Sequence, residues 1–304
     1  LINYREGERV LAEFEEITTM AEKIYEVLEP EKKDAFFQLV LYPTRASRNV
    51  LKMHIYAGKN QFFATQGRSS TNDFAELTEK TFKEEAADTD YYNKEIAEGK
   101  WYGMMSQPHI GKANWRGPEK NIMPEVKRIE VLAGSEMGVY LEGSTETLDD
   151  NNKSGNLPGF SKYIDDEYYL EIFNKKADPF EFSIRVEEPW IKVSQVSGVV
   201  EKEERIMVSI DWEMAPVGED ITGKLIVAGT GKEYEVLVSI FNPASPAVEE
   251  LEEMTFVESH GYISIEAEHY NRNMAVDGIR WEKFAEYGRT LSSMLALPVG
   301  DKSF

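Results

Sequence analysis

The chain has 304 residues, 41% of them hydrophobic and 29% charged, with 55 acidic against 34 basic side chains and a formal net charge of −21. That length suits two or three domains and that apolar content suits packed cores, which excludes a disordered polymer. The acidic surplus disfavours a nucleic-acid binder, which needs clustered cations, and the lack of cysteine excludes disulfides, thiolate nucleophiles and thiolate metal sites.

No apolar run approaches the roughly 18 residues of a membrane span. LINYREGERV lacks both the apolar stretch of a signal peptide and an initiator Met, so it reads as an internal start. From Glu6 to Leu28, Val10, Leu11, Phe14, Ile17, Ala21, Ile24, Val27 and Leu28 recur at steps of three and four, the stripe of an amphipathic helix. Pro30 stops that helix and opens a second run through Phe36, Phe37, Val40 and Leu41, and Pro43 predicts a break or kink before the pattern resumes toward Phe63. Ser69, Ser70, Thr71 and Asn72 offer N-caps to a further helix that runs toward Ile96, with Gly99 placed to end it.

Residues 100–126 have neither helical nor strand period but are rich in Trp, Met and Tyr, which predicts an irregular loop packed against something. From Lys127 the pattern alternates. Strands are expected at 129–133, 168–173, 180–186, 205–212, 223–228 and 233–241, with Phe180, Phe182, Ile184 and Val186 on one face and Ile206, Val208, Ile210 and Trp212 on another. NPASPAVEEL reads as a linker, YISIEAE as a strand, and a second strand is expected around Arg289 to Leu297. These are too little for a core, so a further domain begins near Val248 and is incomplete. The expected fold class is multidomain α plus β. An N-terminal antiparallel helical bundle (1–126) precedes an immunoglobulin-like antiparallel β-sandwich (127–244), then a linker and partial C-terminal β-domain (245–304).

Chemistry-bearing motifs are sparse. His54, His109, His260 and His269 are scattered without metal-ligand spacing, so no metal or cofactor is expected. GTGK at 229–232 reads as a hairpin turn and not as a phosphate loop. A glycosidase pair of carboxylates cannot be picked from so many acids, because such a pair is defined by its separation, about 5–10 Å, and by its pocket. The residues by themselves support structural modules more than a complete enzyme.

The run WYGMMSQPHIGKANWRGPEKNIMP at 101–124 resembles a signature of glycoside hydrolase family 115, the xylan α-glucuronidases. FFQLVLYPTRASRNVLKMHIYAGKNQFFATQGRSSTNDFAE is similar to that family's helical domain, and YISIEAEHYNRN and GRTLSSMLALP to the opening of its C-terminal β-domain, so the resemblance spans about Phe36 to Pro298. It implies an exported, secreted or periplasmic enzyme that removes (4-O-methyl)glucuronic acid from glucuronoxylan, with catalysis on a preceding (β/α)8 barrel absent from this chain. PWIKVSQVSGVV and RIMVSIDWEMAPVGEDITGKLIVAG resemble the carbohydrate-associated modules called BACON domains. Trp190 and Trp212 would then be sugar platforms if exposed, and core residues if not.

The resemblance further implies a homodimer in which C-terminal residues approach the partner's barrel. Tyr270 and Arg272, just after YISIEAE, suit a uronate carboxylate, since a guanidinium clamps it and a phenol adds a hydrogen bond. The alternative is a surface Tyr with an Arg balancing Glu266 and Glu268. His109, in the densest motif between Trp101 and Trp115, is expected either to line the mouth of the substrate pocket or to make one buried hydrogen bond. EAE at 266–268 resembles the first strand of calcium-containing carbohydrate modules, but no completing ligands are visible. The expected function is the non-catalytic C-terminal region of a xylan α-1,2-glucuronidase, supporting dimerisation and completing the substrate pocket. The alternative is a carbohydrate-binding module for xylan. The expected partners are glucuronoxylan or its oligosaccharides, the preceding barrel and a second copy, with neither nucleic acid nor membrane.

Overall fold

The computed structural model of the chain describes residues 5–112, 116–164, 167–252, 255–258, 261–288 and 290–299. The described residues fall into two compact units. One comprises Leu1–Pro158, Glu167–Ser209 and Gly223–Val238; the other comprises Gly159–Asp166, Ile210–Thr222 and Ser239–Phe304.

The first unit opens with α1 (Glu6–Val27), α2 (Pro30–Phe36), α3 (Tyr42–Gln66) and α4 (Thr71–Lys94). The break expected at Pro43 is absent: Pro30 to Gln66 runs on through a π turn at Phe37–Leu41. Pro43 has no N–H to offer the carbonyl four residues back, so the ladder widens by one residue, and the Tyr42 N–H reaches the Phe37 carbonyl. The Thr44 hydroxyl donates to the Val40 carbonyl at 2.6 Å, satisfying a second acceptor there. α3 ends at Gly67, whose φ of +68° suits a residue without Cβ, and the Gly67 and Arg68 N–H groups close back on Ala64 and Phe63. α4 ends at Lys94, before the expected Ile96, and a 3-10 turn carries the chain to Gly99.

Strands β1 (Met137–Leu141), β2 (Thr147–Leu148), β5 (Tyr168–Asn174), β7 (Ile191–Val193) and β9 (Glu203–Ile210) form one sheet in the order β2-β1-β5-β9-β7. β3 (Ser154–Asn156), β4 (Phe160–Ser161), β6 (Phe180–Val186), β8 (Ser197–Val200), β10 (Gly218–Gly229) and β11 (Lys232–Asn242) form the other, in the order β3-β11-β10-β6-β8 with β4 also on β11. β6 alternates as its sequence predicts, with Phe180, Phe182 and Ile184 buried. GTGK is the β10–β11 turn, with positive φ at Thr230 and Gly231.

β1 and β5 are buried on both faces. One face meets the second sheet, where a Cβ on Gly229 would stand 2.8 Å from Met137 Sδ; the other lies under the helices, with Phe62 edge-on to Tyr140 at 5.5 Å. Helices, sheet and sheet thus form three layers. Gly138 is required inside β1 because a Cβ there would run into the Phe173 ring.

Three expectations change. Residues 129–133 are not a strand, because their backbone pairs with side-chain amides. Asn60 donates to the Lys127 carbonyl at 2.8 Å and accepts its N–H at 2.6 Å, and Asn72 does the same for Ile129 at 3.0 Å each way. Trp212 lies past the end of β9 and is half-buried, so it does not continue the inward alternation, whereas Trp190 is buried. YISIEAE makes only a bridge at Tyr262, and no strand ladder is described along it. The C-terminal sheet pairs instead β12 (Arg280–Phe284), which the sequence reading missed, with β13 (Ser293–Leu297). Arg289, His260 and Trp115 lie outside the described residues.

Candidate functional site

The loop after α4 divides its apolar residues. Trp101 and Met105 pack against the cluster of Phe37, Leu41, Tyr42, Tyr92 and Ile96, and Ile110 is buried, whereas Tyr102 and Met104 are exposed. The loop is pinned by side-chain amides. Asn93 accepts the Met105 N–H at 2.8 Å, and Asn121 accepts the N–H groups of His109 and Ile110 at 2.8 and 3.1 Å.

His109 is thereby held with its ring half-exposed and its Nε2 2.7 Å from Glu85 Oε1, a carboxylate on α4 that is 1% exposed. The Thr89 hydroxyl donates to the same oxygen at 2.8 Å, so its contact with Tyr42 at 3.0 Å must be a bond that Tyr42 donates. Glu85 Oε2 is buried with no partner. The hydrogen bond to Glu85 raises the His109 pKa, outweighing the opposing effect of burial, and favours the imidazolium. Burial raises the Tyr42 pKa and keeps the phenol protonated.

His109, Tyr42 and Lys112 are among the residues lining a cavity of about 390 Å3 whose apolar wall includes Ala46, Met104 and Pro108. His109 Nε2 is engaged by Glu85 and the Tyr42 hydroxyl by Thr89, so the group left to bind an anion beside the apolar wall is the Lys112 ammonium. Sequence reasoning singled out His109 and missed Glu85, one acid among many, 24 positions away.

Tyr270 and Arg272 lie in the second unit, exposed on one stretch of chain. Arg272 is not what satisfies the neighbouring acids. Glu266 accepts the Thr290 hydroxyl at 2.6 Å, and Glu268 accepts Lys283 Nζ at 2.8 Å and the Ser292 N–H at 2.7 Å. Those bonds from Lys283 and Ser292 hold the Glu268 carboxyl at about 2. Among the described residues no three side chains gather as a metal site, and no helix is long and apolar enough to cross a membrane.

The second unit has its own cavity, of about 280 Å3, on the β4–β11 side of the sheet. Glu219, Asp220 and Glu258 line it together with Ser161, Ser239 and the partly exposed ring of Phe241. Carboxylates and hydroxyls beside an aromatic ring are the groups that hold a sugar's hydroxyls and its C–H face. Nothing in the sequence pattern brought these residues together, because they come from three strands and a distant segment.

Residues 255–304 match the family model described as the glycosyl hydrolase family 115 C-terminal domain. A search of curated proteins finds no significant match. Among solved structures the chain is similar to a Bacteroides ovatus GH5 xyloglucanase in complex with a XXXG heptasaccharide, at 15% identity and a TM-score of 0.25, over 36% of this chain and 20% of that one. It is also similar to the ASH/PapD-like domain of human CEP192, at 13% identity and a TM-score of 0.27, over 42% of this chain and 100% of that one. A third similarity is to the YadV chaperone, at 7% identity and a TM-score of 0.25, over 35% and 52%.

Proposed function

We propose, for a chain whose residues 255–304 match the glycosyl hydrolase family 115 C-terminal domain, a supporting and substrate-completing role in an exported xylan α-1,2-glucuronidase. The observation that carries this reading is the family match. The buried acids of the first unit support it, since each has an oxygen engaged in holding structure. Glu171 is held by Arg68 and Arg205, Glu85 by His109 and Thr89, and Glu142 by the Tyr169 N–H. A glycosidase instead needs two carboxyls facing a sugar-sized gap. Bond cleavage then belongs to a barrel elsewhere in the parent protein.

Tyr270 and Arg272 contribute by clamping the uronate carboxylate, in a homodimer that brings them to the partner subunit's barrel, and His109 with Lys112 lines a pocket mouth. The test is release of 4-O-methylglucuronic acid from glucuronoxylan. The chain alone should release none and the intact parent should release it; turnover by the chain alone overturns the reading.

The second reading, a xylan-binding module, draws on the cavity around Phe241 and its carboxylates. The burial of Trp190 removes one of the two tryptophan platforms it could have used. Calorimetry of the chain with xylo-oligosaccharides, repeated on Phe241→Ala, separates the two: heat lost with the ring favours the module, and no heat in either protein removes it.

A further inference from the structure

The loop after α4 is tied back to that helix at Met105 through Asn93 and at His109 through Glu85. The second tie is ionisable, and its geometry decides which charge state it needs. His109 Nε2 lies 2.7 Å from Glu85 Oε1 and Nδ1 lies 3.4 Å from the Gln107 carbonyl oxygen, so each ring nitrogen faces an atom that can only accept. A neutral imidazole has one N–H and leaves its other nitrogen lone pair against oxygen; the imidazolium donates at both.

Glu85 is in no position to release the ring by finding another cation. Its side chain is 1% exposed, Oε1 also accepts from Thr89, and Oε2 is buried with no partner. The nearby charges are spoken for. One turn along α4, Asp88 is held by Arg45 of α3 at 3.2 Å, and Arg48 of α3 is turned to Glu15 of α1 at 3.4 Å. Tyr42 of α3 is kept a neutral phenol by burial, and on the loop Lys112 lines the cavity beside His109. When the imidazole loses its second proton, a buried carboxylate loses the cation that compensates it. The ring itself is half-exposed, so water can exchange that proton without unfolding the loop.

We propose that His109 and Glu85 form a pH-operated latch, closed by the imidazolium, which holds the loop wall of Met104, Pro108 and Lys112 against Tyr42 and Ala46 of α3. The cavity of about 390 Å3 between loop and helix is then a formed pocket while the latch is closed and slackens when it opens. The hydrogen bond to Glu85 outweighs burial and lifts the His109 pKa, so opening comes above about pH 6.5. The latch rests on the first unit alone and needs no part of the family reading.

The test is amide hydrogen exchange of the full chain by NMR from about pH 6 to about 9, corrected for intrinsic base catalysis, with the ring nitrogen shifts of His109 recorded on the same samples. Both nitrogens should show the imidazolium signature at the acid end. Protection at Met105 and Ile110 should fall about tenfold with the ring's own midpoint, the gap between a charged and a neutral hydrogen bond, while Ile172 in β5 keeps its protection. Glu85→Gln keeps an acceptor for Thr89 and removes the charge, so both midpoints should move down together. His109→Gln, at the half-exposed end of the pair, keeps a neutral donor and should leave loop protection flat with pH. A ring midpoint at or below about 6.5, loop protection flat through the ring's midpoint, or the same fall in His109→Gln overturns the latch. Those outcomes leave the family 115 reading intact, which falls only to turnover by the chain alone.

Discussion

Arg68 is the residue on which the contact between helices and sheet depends most. It is fully buried, lies 4.1 and 4.3 Å over the rings of Phe63 and Phe173, and donates to Gln66 at 2.5 Å, Glu171 at 2.7 Å and Glu203 at 3.2 Å. Arg68→Leu keeps most of the volume and removes the charge. Taking one partner from a buried ion pair costs about 3–5 kcal/mol. Glu171 keeps Arg205 at 2.8 Å, so the lower end applies: about 3 kcal/mol, or a fall in melting temperature of roughly 6–12 °C for a chain of this size. The loss also depends on pH. Burial already raises the Glu203 pKa and Arg68 opposes that rise, so the variant lifts it further. A carboxyl raised on folding contributes stability at low pH that is lost as pH rises through its folded pKa. The deficit should grow as pH rises from the unfolded carboxyl value of about 4.5 through the folded one. Urea unfolding across that range measures both quantities. A loss under about 1 kcal/mol, or a deficit flat with pH, refutes the reasoning.

Glu8 is held at about 2: burial would raise it, but hydrogen bonds from Arg205 and Lys59 prevail. A carboxyl depressed on folding stabilises above its unfolded pKa, so that contribution fades as pH falls from about 4.5 to about 2, and Glu8→Gln should flatten this acid limb in a thermal-melt series. The raised pKa of His109 works in the opposite sense. Its contribution is complete below about pH 6.5 and lost as pH rises through the folded value, so His109→Ala should flatten the stability change above pH 6.5. The same variant should speed hydrogen exchange at Ile110. In the intact parent enzyme, Arg272→Ala should raise KM for glucuronoxylan about 10–100-fold, the worth of a charged hydrogen bond, with the melting temperature unmoved. An unchanged KM would make Arg272 a surface residue only.

Much of the fold is legible where one face of an element meets water. β6 alternates because its outward residues are exposed, whereas the stripe of α1 buries only Ala21 fully and leaves Ile17, Ile24 and Val27 exposed. β1 is missing from the expected strands, although β5 is among them at 168–173. With helices on one side and a sheet on the other, MGVYL and YYLEIFN bury consecutive residues, and the period-two signal disappears just where the three layers meet. The strand expected at YISIEAE shows the converse failure. Its alternation is present, but Tyr262, Ile263 and Ile265 are exposed and no described ladder runs beside them. His109 could be singled out from its motif, whereas the carboxylate that holds it could not, because pairing between a loop and a helix leaves no periodic trace.

The strap between loop and sandwich reads differently once its partners are known. Asn60 and Asn72 act as two rungs of a borrowed ladder, each presenting an amide that imitates a neighbouring backbone. Specificity has moved from the strap to the helices that grip it. Lys127 and Ile129 offer only backbone to these bonds, so proline is what the bonds themselves rule out there, while aspartate in place of either asparagine loses the donor. One inserted residue between the rungs would cost a whole grip, so drift in this segment should occur in side-chain identity and hardly ever in length.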